Sequence, residues 1–315
     1  MKKIIHRIFF NFDNGPDPFL SYLETWKKQL PDFEIMFWDK NNLPLDLNAY
    51  TSYMTKTKNH AYLSDYFRCW LLEKYGGVYL DADIEILDGN VFRNIYEEAQ
   101  KTEEYTLFIG IESERDGDLT AHSMGVKCGT THEVLSFLMN LYETAFSTPL
   151  RYVIKKFPIP DLVNLYLRSL EETDNCSLSI EGHFRGKQNP MIINKIKIYP
   201  QDYFSPLSNY NNEMMVSVFS TNTCLCHHFA ASWRDADQNN INGKLFSDLL
   251  KENYYTIPPD IFPRIKERYG ELKIFPRRPL WALSENEVLQ FERITNKIIP
   301  YGGIVYKLLR KLRKH

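Results

Sequence analysis

The sequence lacks several features that define large classes of proteins. Its five cysteines are an odd number scattered over 315 residues, whereas small secreted domains carry paired cysteines at short spacings. No apolar run approaches the roughly 18 residues of a membrane-spanning helix. Neither sign of charge dominates, because 38 basic residues stand against 40 acidic ones, so no nucleic-acid partner is expected. These absences predict a soluble protein of the cytoplasm.

Apolar residues are abundant, and their spacing predicts an α/β fold. Hydrophobic residues make up 43% of the chain, enough for one large core. The stretch "KIIHRIFF" predicts a first strand and not a signal peptide, because His6 and Arg7 interrupt the apolar run. The stretches "FLSYLETWKKQL" and "FEIMFW" then predict a helix and a second strand. Strand, helix, strand is typical of a parallel sheet flanked by helices.

Residues 61–87, "AYLSDYFRCWLLEKYGGVYLDADIEIL", hold an unusual set of polar side chains in apolar surroundings. The first half predicts a helix, with Asp65 and Arg68 one turn apart on a face outside the apolar stripe. The double glycine ends it. The alternation that follows predicts one strand, with Tyr79, Asp81 and Asp83 on the same side.

Two carboxylates so close repel each other, and their burial is costly without a cation. Oxygen ligands favour a hard divalent ion, Mg²⁺ or Mn²⁺, which keeps positions open for water and phosphate. The same D-x-D spacing recurs at Asp116/Asp118 and Asp235/Asp237, but in stretches that are typical of polar loops. Asp81 and Asp83 are therefore the candidate metal ligands.

The string "SDYFRCWLLEKYGGVYLDAD" resembles the signature of DXD-motif glycosyltransferases, specifically glycosyltransferase family 32, which includes capsular-polysaccharide transferases and yeast Golgi mannosyltransferases. The resemblance extends through "KIIHRIFF", "FEIMFWD", "IYPQDYFSP" and "HHFAASW". It implies a GT-A fold, Rossmann-like, with a mostly parallel central sheet flanked by helices. It also implies that Asp81 and Asp83 hold Mn²⁺ or Mg²⁺ on the donor diphosphate, that Asp65 and Arg68 contact donor sugar and diphosphate, and that Tyr79 lies beside the nucleotide.

A second stretch, "CLCHHFAASW", aligns with a family segment in which a histidine can complete the metal site. His227 and His228 are adjacent, so on a strand they face opposite ways, and we favour His227 as the ligand. Ser232 and Trp233 are expected on the phosphate or nucleotide side. A zinc site built from Cys224, Cys226 and the histidines is an alternative, although it lacks a second ligand cluster at zinc-finger spacing.

Three further positions receive weaker predictions. Ser123 stands where the resemblance leads us to expect an asparagine that contacts the donor. Glu112 and Glu114 follow a predicted strand and could meet either sugar or belong to a charged loop. His6, on the first strand, is expected to be a buried histidine with satisfied hydrogen bonds.

The domain prediction is a glycosyltransferase domain over residues 1–244 and a helical C-terminal extension over residues 245–315. The extension is rich in proline and ends in a basic amphipathic helix over residues 303–315. That helix could lie on an anionic membrane, so the expected location is cytoplasmic with a peripheral contact on the inner face. Packing of the helix on the body of the protein, or a solubilising role, is the alternative.

The expected function is a metal-dependent, retaining transfer of a hexose or N-acetylhexosamine from a nucleotide sugar, with UDP as the favoured nucleotide. The acceptor would be a glycan or a lipid-linked oligosaccharide in bacterial surface-polysaccharide synthesis. A sugar-phosphate transferase and an inactive protein that binds nucleotide sugar or glycan are the alternatives. Both aspartates of the motif are present, which favours an enzyme.

Overall fold

The structure is a computed structural model that describes residues 3–113, 117–149, 159–174, 184, 188–210, 213–230, 243–251 and 257–270. The predicted basic helix at residues 303–315 lies outside the described residues. Two short helices fall in the described part of the predicted extension. The boundary between the two predicted domains stays a prediction.

Strands and helices alternate through the first half of the chain, as the sequence predicts. The strands are β1 Ile4–Ile8, β2 Glu34–Trp38, β3 Gly77–Leu80, β4 Ile84–Ile86, β5 Leu107–Ser113, β6 Asp118–Val126, β7 Met191–Ile193, β8 Ile196–Tyr199, β9 Leu207–Tyr210, β10 Glu213–Val216 and β11 Leu225–His227. The helices are α1 Leu20–Gln29, α2 Ala49–Lys56, α3 His60–Tyr75, α4 Gly89–Lys101, α5 Glu133–Phe146, α6 Ile159–Asp174, α7 Gln201–Phe204, α8 Phe246–Lys251 and α9 Phe262–Tyr269.

A seven-stranded sheet in the order β2-β1-β3-β6-β5-β8-β7 forms the centre of the protein. Strands β2, β1, β3, β5 and β8 run in one direction and β6 and β7 run in the other, as the six pairings require. Five of seven strands therefore share a direction, and the predicted mostly parallel α/β sheet is confirmed.

Helices cover both faces of this sheet with separate apolar clusters. Helices α2, α3, α5 and α6 contribute to the cluster on one face, and α1 and α4 contribute to the cluster on the other. Within the described residues, no helix combines the length and the apolar character that a membrane span requires.

The double glycine sets where β3 begins. Gly77 has φ +87°, and a Cβ there would lie 2.7 Å from the carbonyl oxygen of Ile4 on the neighbouring strand. Only glycine fits both the backbone conformation and this close approach. The chain therefore enters the sheet immediately after α3.

The prediction of one continuous strand from Val78 to Ile86 is wrong. The chain leaves the sheet after Leu80 and turns at Asp81, whose carbonyl oxygen accepts a hydrogen bond from the Ile84 amide at 3.1 Å. The next segment, β4, pairs with β11 in a separate two-stranded sheet, with Ile84 opposite His227. The turn releases both carboxylates from the alternation of a strand, and the pairing brings a segment about 140 residues away beside them.

Candidate active site

Asp81, Asp83 and His227 lie together where β3 ends and β4 meets β11. One ligand atom from each side chain falls within 4.8 Å of the other two. Two carboxylate oxygens and an imidazole nitrogen suit a divalent cation. Asp81 is the most open of the three, with its side chain 25% exposed, which leaves room for water or substrate oxygens. The residues fit the cation that the sequence predicts.

Two groups contact the same oxygen of the Asp83 carboxylate. Its Oδ2 accepts a hydrogen bond from the Ala230 amide at 2.9 Å and lies 3.4 Å from Nε2 of His227. Burial opposes ionisation, but the neighbouring His227 and the Ala230 amide outweigh it and hold the pKa of Asp83 below its usual value. Burial likewise opposes the charged form of His227, yet Asp83 and Glu112 together raise its pKa to about 10. The carboxylate is thus ionised and ready to bind a cation.

Arg68 links the helix to the aspartate turn. Its Nη2 lies 2.9 Å from Oδ1 of Asp65 and 3.4 Å from Oδ1 of Asp81. Its Nε and Nη1 donate to the carbonyl oxygens of Ser64 and Ala121. The guanidinium is therefore fixed by the protein before any substrate arrives.

Asp65 is the partner of Arg68 on the same face of α3. Burial raises the pKa of its carboxyl to about 6, although the adjacent Arg68 works in the opposite direction. Tyr79 lies beneath this pair, with the Arg68 guanidinium 4.5 Å from its ring centre. Its hydroxyl donates to Asp81 Oδ1. The predicted set of Asp65, Arg68, Tyr79 and Asp81 is therefore one connected cluster.

His228 faces away from this cluster. Its Nε2 lies 2.9 Å from Oε2 of Glu85, and its ring stacks on Tyr22 with the centroids 4.4 Å apart. The side chain is fully buried. Because neighbouring residues of a strand point to opposite sides, His227 takes the side of the aspartates, and the structure does not bring His228 to them.

Ser123 lies on β6 opposite Leu80, the last residue of β3. It is fully buried, and its Oγ has no hydrogen-bond partner among the described residues. Glu112 lies on β5, with Oε1 3.7 Å from Nδ1 of His227. Glu112 therefore borders the cluster, Ser123 lies on the strand next to β3, and Glu114 lies outside the described residues.

His122 is a site residue that we did not predict. Its ring centroid lies 4.5 Å from that of His227, and its Nε2 lies 2.8 Å from the Ser205 hydroxyl. Burial, with a smaller contribution from His227, lowers the pKa of His122 well below its usual value. The only sequence signal was its place beside Ser123, because strand pairing with β3 cannot be deduced from local pattern.

Other predicted residues fall elsewhere. Ser232 and Trp233, the Asp235/Asp237 pair and Asp116 lie outside the described residues. Cys224 and Cys226 are buried in apolar clusters. Among the described residues, Asp81, Asp83 and His227 are the only group of three or more potential ligands close enough to share a metal ion, so the zinc alternative is not supported there.

The prediction for His6 is confirmed. Its Nε2 donates to the carbonyl oxygen of Gly76 at 2.8 Å, and its Nδ1 accepts from the Trp38 indole at 3.1 Å. Both ring nitrogens are satisfied in the neutral form. His6 therefore has a structural role in the sheet.

Comparison with known proteins agrees with this site. The sequence profile of the family "Glycosyltransferase sugar-binding region containing DXD motif" matches residues 16–100, the segment that carries Asp65, Arg68, Tyr79, Asp81 and Asp83. A search of curated proteins finds no match.

Several solved structures are similar to this chain at low identity. The PaToxG glycosyltransferase is 14% identical with a TM-score of 0.40, and the match covers 55% of this chain and 70% of that one. A glycosyltransferase involved in glycosylation of the PBCV-1 major capsid is 10% identical with a TM-score of 0.39, covering 73% and 94%. The galactosyltransferase LgtC is 14% identical with a TM-score of 0.38, covering 89% and 100%.

The predicted class is confirmed for residues 16–100, which match the DXD-containing sugar-binding region of glycosyltransferases, and this match supports a transferase. Membership of glycosyltransferase family 32 in particular stays a prediction.

Proposed function

We propose that the protein is a metal-dependent, retaining glycosyltransferase. It would move a hexose or N-acetylhexosamine from a nucleotide sugar, with UDP favoured, to a glycan or lipid-linked oligosaccharide in bacterial surface-polysaccharide synthesis. The observation that carries the proposal is the convergence of Asp81, Asp83 and His227 within one connected cluster with Arg68 and Asp65.

Asp81, Asp83 and His227 would hold Mn²⁺ or Mg²⁺. When bound, the cation would supply positive charge against the donor diphosphate, which becomes more negative as the bond to the sugar breaks. A divalent ion also offsets the mutual repulsion of the two carboxylates. The open side of Asp81 is where the substrate would approach.

Arg68 adds a second, permanent positive charge beside this position. Four protein groups already hold its guanidinium. Substrate binding therefore needs no further loss of conformational entropy to orient it. Asp65 is an acceptor for sugar hydroxyls, and Tyr79 fixes both Arg68 and Asp81 from below. Ser123, with its unpartnered buried hydroxyl, is a further candidate for a donor contact, and Ser232 and Trp233 complete the proposed nucleotide side.

Retention of anomeric configuration follows from the resemblance to family 32, as does the preference for UDP. In this mechanism the acceptor hydroxyl attacks from the face that the diphosphate leaves, through an oxocarbenium-like state. A peripheral contact of residues 303–315 with an anionic membrane would suit a lipid-linked acceptor.

A donor screen tests the proposal. Purified protein is incubated with UDP-, GDP- and CMP-sugars, with Mn²⁺ or with EDTA, and nucleotide release is followed for the wild type, Asp83→Asn and Asp248→Asn. We expect slow metal-dependent hydrolysis of one donor that Asp83→Asn abolishes. The Asp248→Asn control changes an exposed carboxylate paired with Lys251 and should behave as wild type.

Absence of hydrolysis with every donor, together with no thermal shift from UDP or GDP plus Mn²⁺, would contradict the proposal. Transfer of a phosphosugar in place of a sugar would favour a sugar-phosphate transferase.

A further inference from the structure

The edge of the His227 ring that points away from the aspartates faces a carboxylate. Nε2 lies toward Asp83 at 3.4 Å, and Nδ1 lies 3.7 Å from Oε1 of Glu112. Nδ1 is buried and has no hydrogen-bond partner within the described part of the chain. The Glu112 carboxylate is thus an acceptor close to Nδ1, slightly beyond hydrogen-bond distance.

The backbone of β5 is irregular at this residue. Ile111 is opposite Leu119 and Ser113 is opposite Asp118 on β6, so Glu112 has no counterpart in the ladder. One extra residue in a strand is a β-bulge, and bulges redirect side chains beside functional sites. The bulge accounts for how Glu112, the next-to-last residue of β5, reaches the ring of His227.

Two aromatic rings pack against the His227 ring and fix its tilt, but neither accepts a hydrogen bond from Nδ1. The ring centroids of His122 and Phe229 lie 4.5 and 4.4 Å from that of His227. A histidine that binds a metal through one nitrogen commonly donates its other N–H to a carboxylate, which fixes the tautomer and strengthens the ligand. Glu112 occupies that position.

Resting on the proposed function, we propose that Glu112 is a positioning residue whose carboxylate accepts a hydrogen bond from Nδ1–H of His227 and so orients Nε2 toward the divalent cation. This assigns Glu112 to support of a metal ligand and not to a sugar. The side chain is 26% exposed, which leaves it the freedom to close the remaining distance.

Mn²⁺ binding, measured by electron paramagnetic resonance without donor, tests this role apart from activity. We expect Glu112→Ala to raise the Mn²⁺ dissociation constant roughly tenfold to a hundredfold. Glu112→Gln keeps an oxygen acceptor and should recover most of the affinity. Glu104→Ala removes an exposed glutamate that precedes the same strand and should bind Mn²⁺ as the wild type does.

A second measurement uses the unchanged protein, so it does not depend on how any variant folds. With Mg²⁺ bound, ¹⁵N spectra of the histidines should show His227 protonated at Nδ1 and not at Nε2. The opposite tautomer overturns the inference, as does an unchanged Mn²⁺ affinity in folded Glu112→Ala.

The two proposals fail differently. Suppose that the wild type binds Mn²⁺, that Asp83→Asn loses this binding and that Glu112→Ala keeps it. In that case only the role of Glu112 is wrong. If the wild type binds no Mn²⁺ at all, the metal-dependent function falls, and the role of Glu112 falls with it.

Discussion

The paired strands β4 and β11 carry two histidine–carboxylate pairs on opposite sides. On one side His227 meets Asp83, and on the other His228 meets Glu85. The first pair borders Asp81, whose side chain is 25% exposed, and Nδ1 of its His227 has no hydrogen-bond partner among the described residues. The second pair is sealed, with His228 fully buried and Glu85 also accepting from the Phe246 amide at 2.7 Å.

The difference shows that residue type alone does not define a metal site. One pair lies beside Asp81, a third and more exposed carboxylate, and there we propose a cation site. The other pair, His228 and Glu85, is a buried structural contact, completed by the Phe246 amide and by the ring of Tyr22. The contacts around Glu85 connect β4, β11, α1 and α8. They therefore hold in place the strands beside which His227 and Asp83 meet.

The largest effect on stability should come from the sealed side. Glu85→Ala removes the acceptor of His228 and of the Phe246 amide, and loss of one partner of a buried pair costs about 3–5 kcal/mol. Urea unfolding measures the change. His227→Ala should leave the unfolding midpoint much closer to that of the wild type, and an equal loss in both variants would contradict the comparison.

Metal binding should respond in the opposite order. His227→Ala removes a ligand from the open cluster, and we expect its Mn²⁺ dissociation constant to rise at least about a hundredfold, because a protein ligand matters no less than its supporting shell. A His228→Gln variant that stays folded should retain Mn²⁺ affinity. Titration with Mn²⁺ under native conditions decides, and an equal loss for His228→Gln would place both histidines in the site.

A third histidine, His6, is buried and shows how burial makes the stability of the protein depend on pH. Burial lowers the pKa of His6 to about 4, although its bond to Gly76 works the other way. The unfolded chain, with a pKa near 6.5, therefore binds more protons between pH 6.5 and 4, and stability falls as the pH falls through that window. The contribution from His6 amounts to about 2 kcal/mol between pH 7 and 5.

Urea unfolding of wild type and His6→Gln at pH 7 and pH 5 tests this. The variant should lose less stability on acidification than the wild type does, whatever its stability at pH 7. An identical acid loss in both proteins would show that His6 does not titrate in this range.

The smallest effect is expected at Asp88, a carboxylate five residues beyond Asp83. Its Oδ1 accepts from the amides of Asn90 and Val91 at the start of α4, and loss of such a cap costs about 1 kcal/mol. Asp88→Ala should lower the thermal midpoint slightly and leave Mn²⁺ affinity unchanged. A weaker Mn²⁺ affinity in Asp88→Ala would mean that the total negative charge near the turn determines binding, and not the three ligands alone.

Local pattern in the sequence was enough for α1, α3 and the first strands, because apolar spacing and the double glycine determine them directly. It also identified Asp65, Arg68, Tyr79, Asp81 and Asp83, since these lie within one continuous motif. The turn at Asp81 was missed because alternation continues through it in the sequence while the chain changes sheets. His122 and Glu112 were not placed beside His227, because strand order and a β-bulge put them there.

The hydrogen bond between Asp83 and the segment after β11 has a consequence for synthesis. Asp83 and Ala230 are 147 residues apart, so at about 5–20 residues per second a ribosome needs roughly 7–30 s to make the second after the first. During that interval the nascent chain carries both aspartates but neither His227 nor the amide that holds Asp83. The cluster of Asp81, Asp83 and His227 would then form only after residue 230 has been translated.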